Sequence, residues 1–136
     1  MITKRRTNIL LCAGSLIIGG FFYILFRETT YIGRLFGKLY FVQDLRKAFA
    51  FLSCDFLKYY LPDCLWCFAL GCGLCVIDTA SPKSVFIWAT VAVSCGFLWE
   101  IMQYIGFING TGDIWDMLMY FVAGISCIII NLRREL

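Results

Sequence analysis

The sequence predicts an all-α, polytopic integral membrane protein. Four transmembrane helices are expected, with an amphipathic interfacial helix between spans 1 and 2. Three observations carry this. Of the 136 residues, 61% are hydrophobic and 18% aromatic, where a soluble domain is nearer about 45–50% apolar. The excess is gathered into runs long enough to cross a hydrocarbon core of about 30 Å. The longest charged stretch, 27–60, still repeats apolar residues at three- and four-residue steps, as a surface helix does. A single membrane domain over 1–136 follows.

Lys4, Arg5 and Arg6 precede the first apolar run, 8–26, which holds no charge. At about 1.5 Å per residue it spans about 28 Å. A cleavable signal ends in small residues. This run ends in Phe21, Phe22, Tyr23, Ile24, Leu25 and Phe26, so an uncleaved span is expected. Ser15 and Gly19 form a small-xxx-small pair suited to close helix contact.

Residues 27–60 hold Arg27, Arg34, Lys38, Arg46, Lys47 and Lys58 with Glu28, Asp44 and Asp55. Val42, Leu45, Phe49, Leu52 and Phe56 make an apolar stripe. Gln43, Asp44, Arg46, Lys47 and Asp55 fall largely off it. This predicts an interfacial helix over about 41–59, a reading compatible with packing on the spans.

Pro62 and Asp63 open the second span, 61–77. Proline suits a first helical turn, and an acidic group suits the positive end of the helix dipole. Thr79, Ala80, Ser81, Pro82 and Lys83 make a turn. The third span covers 84–107, a polar turn runs from Asn109 to Asp113, and the fourth span covers 114–131. Arg133 and Arg134 follow.

Four spans put both termini on one side. Lys and Arg are equal in number on the two sides, but basic clusters abut spans 1 and 4. This favours cytoplasmic termini in a multi-pass protein of the cell membrane. Asp63, Glu100, Gln103, Asp113 and Asp116 then all lie toward the outer face, with Arg27, Arg34, Arg46 and Lys47 as candidate counter-charges. On span 3, Ala89, Ala92, Gly96, Glu100 and Gln103 share one stripe. On span 4, Asp116, Tyr120, Gly124, Cys127 and Asn131 share another. Small and polar residues mark packed membrane helices, so Glu100 and Asp116 are expected to face each other and not lipid. An ionisable group inside a membrane points by default to a functional site; tying helices together by hydrogen bonds is the alternative.

The eight cysteines lie mostly in or beside apolar runs, and histidine is absent. Neither a secreted disulfide framework nor histidine chemistry is expected. Cys64, Cys67, Cys72 and Cys75 form two CxxC pairs in span 2. On one continuous helix the outer two are about 16 Å apart, whereas a tetrahedral site needs all four thiolates about 2.3 Å from one ion. Small packing residues are expected, with no metal and no cofactor. The net charge of +3 and the lack of a basic, aromatic-interleaved stripe argue against nucleic-acid binding.

The residues Glu100 and Gln103, a turn, Asp113 and Asp116, and a later Gly124 form a pattern that resembles the VanZ-like family of bacterial membrane proteins. The opening of span 2, Leu61-Pro62-Asp63-Cys64-Leu65-Trp66, also looks like some divergent relatives. The resemblance is best over 61–131. Two departures are evident: many relatives carry a His near the start of the second span and an Arg in the turn before the Asp, and this chain has neither. The resemblance implies a role in the cell envelope and an association with resistance to glycopeptide antibiotics such as teicoplanin.

Three functions are expected to compete. A pocket formed by Glu100, Gln103, Asp113, Asp116, Asp63 and Tyr120 could bind a membrane lipid, a cell-wall precursor or an amphiphilic glycopeptide-type antibiotic. Glu100 and Asp116 could instead act as acid and base on a lipid-linked substrate, since two adjacent carboxylates push one pKa upward. No nucleophile elbow, metal motif or phosphate loop supports that, so no catalytic residue is assigned. A structural or transport subunit working as an oligomer is the third.

Overall fold

A computed structural model describes residues 2–28, 31–52, 54–77 and 81–133, with the side chains of Ile2, Thr3, Ile32 and Leu52 excepted. The expectations for Leu52, Thr79, Ala80 and Arg134 lie outside what is described. Among the described residues every regular element is helical. The elements are α1 (Ile2–Phe26), α2 (Tyr31–Phe36), α3 (Tyr40–Ala48), α4 (Leu61–Cys75), α5 (Pro82–Tyr104) and α6 (Ile114–Leu132).

Three of these are long and apolar enough to cross a membrane: Lys4–Phe26 within α1, α5 and α6. Helix α4 is the shortest of the bundle, with 15 residues, about 22 Å. It is also the hub. It packs against α1, α5 and α6, and α5 packs on α6. Buried small residues allow this. Gly19 and Ser15 of α1 are buried, and a Cβ on Gly19 would touch Leu65 and Trp66 at 3.4 Å. Ala69, Cys72 and Cys75 of α4, Ala89 and Ala92 of α5, and Ala123 and Cys127 of α6 are almost fully buried. Without a hydrophobic driving force between helices in lipid, close backbone approach of this kind is what holds a bundle together. The span 2 cysteines serve as such packing residues. Cys72 and Cys75 meet Cys127 and Val85 in one cluster, while Cys67 meets Ala92, Tyr120 and Ala123 in another.

The segment between α1 and α4 departs from expectation. A single helix over 41–59 does not form. Helix α3 stops at Ala48, and Phe49 leaves the helical region at φ −98°, ψ 9°, where its ring meets Phe21 edge-on at 6.0 Å. A short 3₁₀ turn, Ala50–Leu52, follows, and then a π-helical turn, Phe56–Tyr60, runs directly into α4. The physical reason is return distance. A straight helix of 19 residues ending at the head of α4 would put its start about 28 Å away, whereas Arg46 and Phe49 hold this segment against α1. The break lets it turn back. Val42 keeps its buried place and Leu45 and Phe49 are half-buried, but Phe56 is exposed. Arg46, a candidate counter-charge off the apolar stripe, turns inward. Its Nη2 donates to the carbonyls of Ile24 at 2.8 Å and Gly33 at 3.1 Å, and Nη1 lies 3.5 Å from Glu28.

Two helix ends also move. Helix α5 begins at Pro82, with Ser81 accepting from the Ser84 N–H at 3.2 Å as its cap. It ends at Tyr104, short of the expected 107. Gly106 takes φ +75°. The Phe107 N–H reaches the Met102 carbonyl and the Gly106 N–H reaches that of Gln103. This is the left-handed glycine stop in which two orphan carbonyls are satisfied at once.

Candidate functional site

One end of the bundle gathers the C-terminal ends of α1 and α5 and the N-terminal ends of α4 and α6. A cavity of about 1810 Å³ opens there. Its lining includes Arg27, Asp63, Glu100, Gln103, Asp113, Asp116 and Tyr120, with Arg46 at its edge. All six pocket residues read from the sequence therefore share one cavity. Of the four candidate counter-charges, Arg27 and Arg46 line it. Arg34 and Lys47 sit exposed on α2 and α3.

Glu100 is 2% exposed. Its Oε1 accepts from the Tyr120 hydroxyl at 3.1 Å, and its Oε2 accepts from the backbone N–H of Asp113 at 3.1 Å. The partner of Glu100 on α6 is thus Tyr120, one turn beyond Asp116. Glycine makes this geometry. A Cβ at Gly96 would lie 2.6 Å from the Tyr120 ring, so the ring rests on bare backbone one turn below Glu100. A Cβ at Gly112 would lie 2.7 Å from the Glu100 carbonyl oxygen, so the 105–112 turn folds directly onto the end of α5. Glu100 staples that turn and α6 together.

Asp113 caps α6, its Oδ1 accepting from the Trp115 N–H at 2.9 Å. Its Oδ2 receives only a long bond, 3.5 Å, from the Tyr60 hydroxyl. Desolvation, with the Asp113 and Asp116 charges adding to it, pushes the Tyr60 phenol above its ordinary value. Tyr60 therefore remains a protonated donor through the neutral range.

Arg27 is held from several sides. Its Nη2 donates to Asp63 Oδ2 at 2.9 Å and to the Tyr59 carbonyl at 2.9 Å. Its Nε reaches the Lys58 carbonyl at 3.3 Å. The guanidinium lies over Tyr23 at 5.3 Å and Tyr59 at 5.9 Å from the ring centres. Pro62 explains the free carbonyl. Proline has no N–H, so the carbonyl four residues earlier, that of Lys58, loses its helical donor. Arg27 supplies the replacement.

Asp116 is different. Its Oδ1 is buried without a hydrogen-bond partner. Gln103 lies against the turn, its amide occupying the space a Cβ on Gly110 would need. Tyr23, Tyr59, Tyr60 and Lys58 were not singled out by the sequence. The available signal is the aromatic run Tyr59-Tyr60 beside Pro62, at the junction of the expected interfacial helix and span 2.

Comparison with protein-family models, with curated proteins and with solved structures gives no match.

Proposed function

We propose that this chain is a VanZ-like membrane protein of the cell envelope. In this reading α4 is a fourth span and both termini are cytoplasmic. The acidic pocket faces outward and binds a lipid, a cell-wall precursor or an amphiphilic, glycopeptide-type antibiotic. The observation that carries it is Asp116 Oδ1, buried in the wall of a large cavity with no donor. A buried acceptor left unsatisfied costs about 1–3 kcal/mol; Asp116 as a whole is half-buried, and turning its carboxylate toward a ligand donor in the cavity would remove that cost.

Two further features support the membrane side of the reading. The π-helical turn Phe56–Tyr60 lengthens the helical rise into α4, so that the hub reaches further than its 15 α-helical residues. Tyr31, Leu35, Leu39, Tyr40, Phe41 and Phe51 are all more than half exposed beside exposed Arg34, Lys38 and Lys47. Aromatic and basic groups in that mixture suit the headgroup layer of a bilayer. Binding is favoured over acid–base catalysis, because both Glu100 oxygens already hold protein donors.

The test is Asp116→Asn, which preserves shape and breaks no hydrogen bond of the fold. Membrane accumulation, teicoplanin tolerance of the host and binding of labelled teicoplanin and of lipid-linked cell-wall precursor are measured together. The expected result is normal accumulation with reduced tolerance or reduced capture of one probe. Unchanged tolerance and unchanged capture of every probe would remove the proposal.

A further inference from the structure

The cavity does not end at its polar residues. It continues along the face of α4 between α1 and α5, past Cys12, Leu16 and Gly20 of α1, Leu70 of α4 and Cys95 of α5. Both α1 and α5 pack on α4, without extensive contact with each other. From Cys12 to Arg27 the groove follows α1 for about 22 Å, about three-quarters of a hydrocarbon core of about 30 Å. Its rim is apolar and exposed at Leu16, Leu70 and Cys95. A Cβ on Gly20 would meet nothing within 4 Å, so the floor there is open. The total volume exceeds the roughly 300–1,000 Å³ of an ordinary small-molecule pocket.

The chemistry at the head of this groove leaves carboxylate acceptors short of donors, and among the described residues one donor lining the same cavity, Arg46 Nε, is also unpartnered. Arg27 is fully engaged by Asp63 and two carbonyls. Glu100 holds Tyr120 and the Asp113 N–H. Asp113 Oδ2 has one long bond from Tyr60, and Asp116 Oδ1 has none. The complement is a headgroup that pairs an N–H cation for the carboxylates with an anionic group that Arg46 can meet. An anionic headgroup would meet these carboxylates unfavourably, and a quaternary ammonium has no N–H to give.

We propose that the groove admits a membrane lipid with a primary-ammonium headgroup, sideways from the bilayer between α1 and α5, with the ammonium at Asp116 and one acyl chain along α1 and α4. This rests on the amphiphile-binding reading above and narrows it to a lipid class and a route of entry.

The full chain, reconstituted in phosphatidylcholine nanodiscs, is exposed to photoactivatable phosphatidylethanolamine, phosphatidylcholine and phosphatidylglycerol probes with identical acyl chains, and crosslinks are mapped by mass spectrometry. The expected result is at least fivefold greater capture of the phosphatidylethanolamine probe, with crosslinks on the groove walls. Asp116→Leu, which removes both charge and acceptor, should bring the three probes to parity. Gly20→Trp and, from the opposite wall, Cys95→Trp should each lower capture at least fivefold. Two variants on separate helices keep the test decisive if one of them fails to accumulate. Equal capture of the three probes by the native chain overturns the inference. So does phosphatidylethanolamine capture that neither tryptophan diminishes. If an anionic probe or teicoplanin is captured in an Asp116-dependent way while phosphatidylethanolamine is not preferred, this inference falls and the broader reading stands. If no probe depends on Asp116, both fall.

Discussion

Glu100 is the residue on which the bundle's polar end turns, and its two bonds make separable predictions. Tyr120→Phe removes one donor and leaves Glu100 Oε1 buried without a partner. The expected loss is about 1–3 kcal/mol, read as a lower unfolding midpoint in detergent. Gly96→Ala acts through the same contact from the other side. The new methyl would sit 2.6 Å from the Tyr120 ring, close to the ring's attachment to the backbone, so the ring must move. Overpacking of this kind costs about 1–3 kcal/mol. Since both changes damage one interaction, the double variant should lose clearly less than the sum of the two, which a double-mutant cycle measures directly. A fully additive result would mean that Gly96 and Tyr120 are not coupled through Glu100. The helical stripe of Ala89, Ala92, Gly96 and Glu100 was legible in the sequence, because a helix repeats every 3.6 residues and small residues mark contact. The identity of the partner was not. Asp116 and Tyr120 lie on the same face of α6, one turn apart, and only the axial offset of the two helices decides which one meets Glu100. That offset is set by the left-handed stop at Gly106 and the close approach at Gly112, neither of which is a periodicity.

The joints between elements rest on a few polar side chains. Arg27 joins the end of α1 to the start of α4 through one carboxylate and two carbonyls. About a quarter of each of the Arg27 and Asp63 side chains is exposed, so the loss on breaking the pair falls below the ~3–5 kcal/mol of a fully buried one. Arg27→Lys should be nearly as damaging as Arg27→Ala. An ammonium is a point donor and cannot span three acceptors in the plane of a guanidinium. Hydrogen exchange at the head of α4 is the readout, and full protection in Arg27→Lys would show that charge alone suffices. At α6 the cap is the test. Asp113→Ala should cost about 1 kcal/mol through loss of the bond to the Trp115 N–H. Asp113→Ser should recover most of it, since serine caps as well. Composition alone announced α1, α5 and α6, whose apolar runs exceed what any soluble helix of that length carries. The 27–60 segment was misread because its apolar stripe is real but serves two pieces. Val42, Leu45 and Phe49 belong to α3 and its cap, which packs on α1, whereas Phe56 to Tyr60 belongs to the π turn that leads into α4. A stripe reports which residues want burial, and carries no signal for the bend at Phe49 that splits them.

At the scale of the whole molecule the consequence is an asymmetry of ends. Antiparallel succession of α1, α4, α5 and α6 places Arg27, Asp63, Glu100, Asp113 and Asp116 at one end. Lys4, Arg5, Arg6, Lys83 and Arg133 lie at the other. The buried acceptors are thus separated from the terminal basic clusters by the length of α5, 23 residues or about 34 Å. Basic clusters are retained on the cytoplasmic side of a membrane, so the acidic end should be the outer one. Single-cysteine accessibility decides this. Cys72, Cys75 and Cys127 are fully buried and Cys67 nearly so, and can stay without reporting. Exposed Cys54 and Cys95 and half-buried Cys12 and Cys64 are replaced by serine or alanine. In that background Arg34→Cys, Ser81→Cys and Thr111→Cys are each probed with a membrane-impermeant maleimide on intact cells. Positions 34 and 111 belong to the pocket end and should label, while 81 should label only after permeabilisation. Labelling at 81 alone would invert the molecule, and the pocket would then sample cytoplasmic ligands. Labelling of 34 without 111 would be the more disruptive result. It would put α2 and the 105–112 turn across a membrane from each other, which the packing of α2 on α1 and the bonds from Arg27 to Tyr59 and from Tyr60 to Asp113 do not permit.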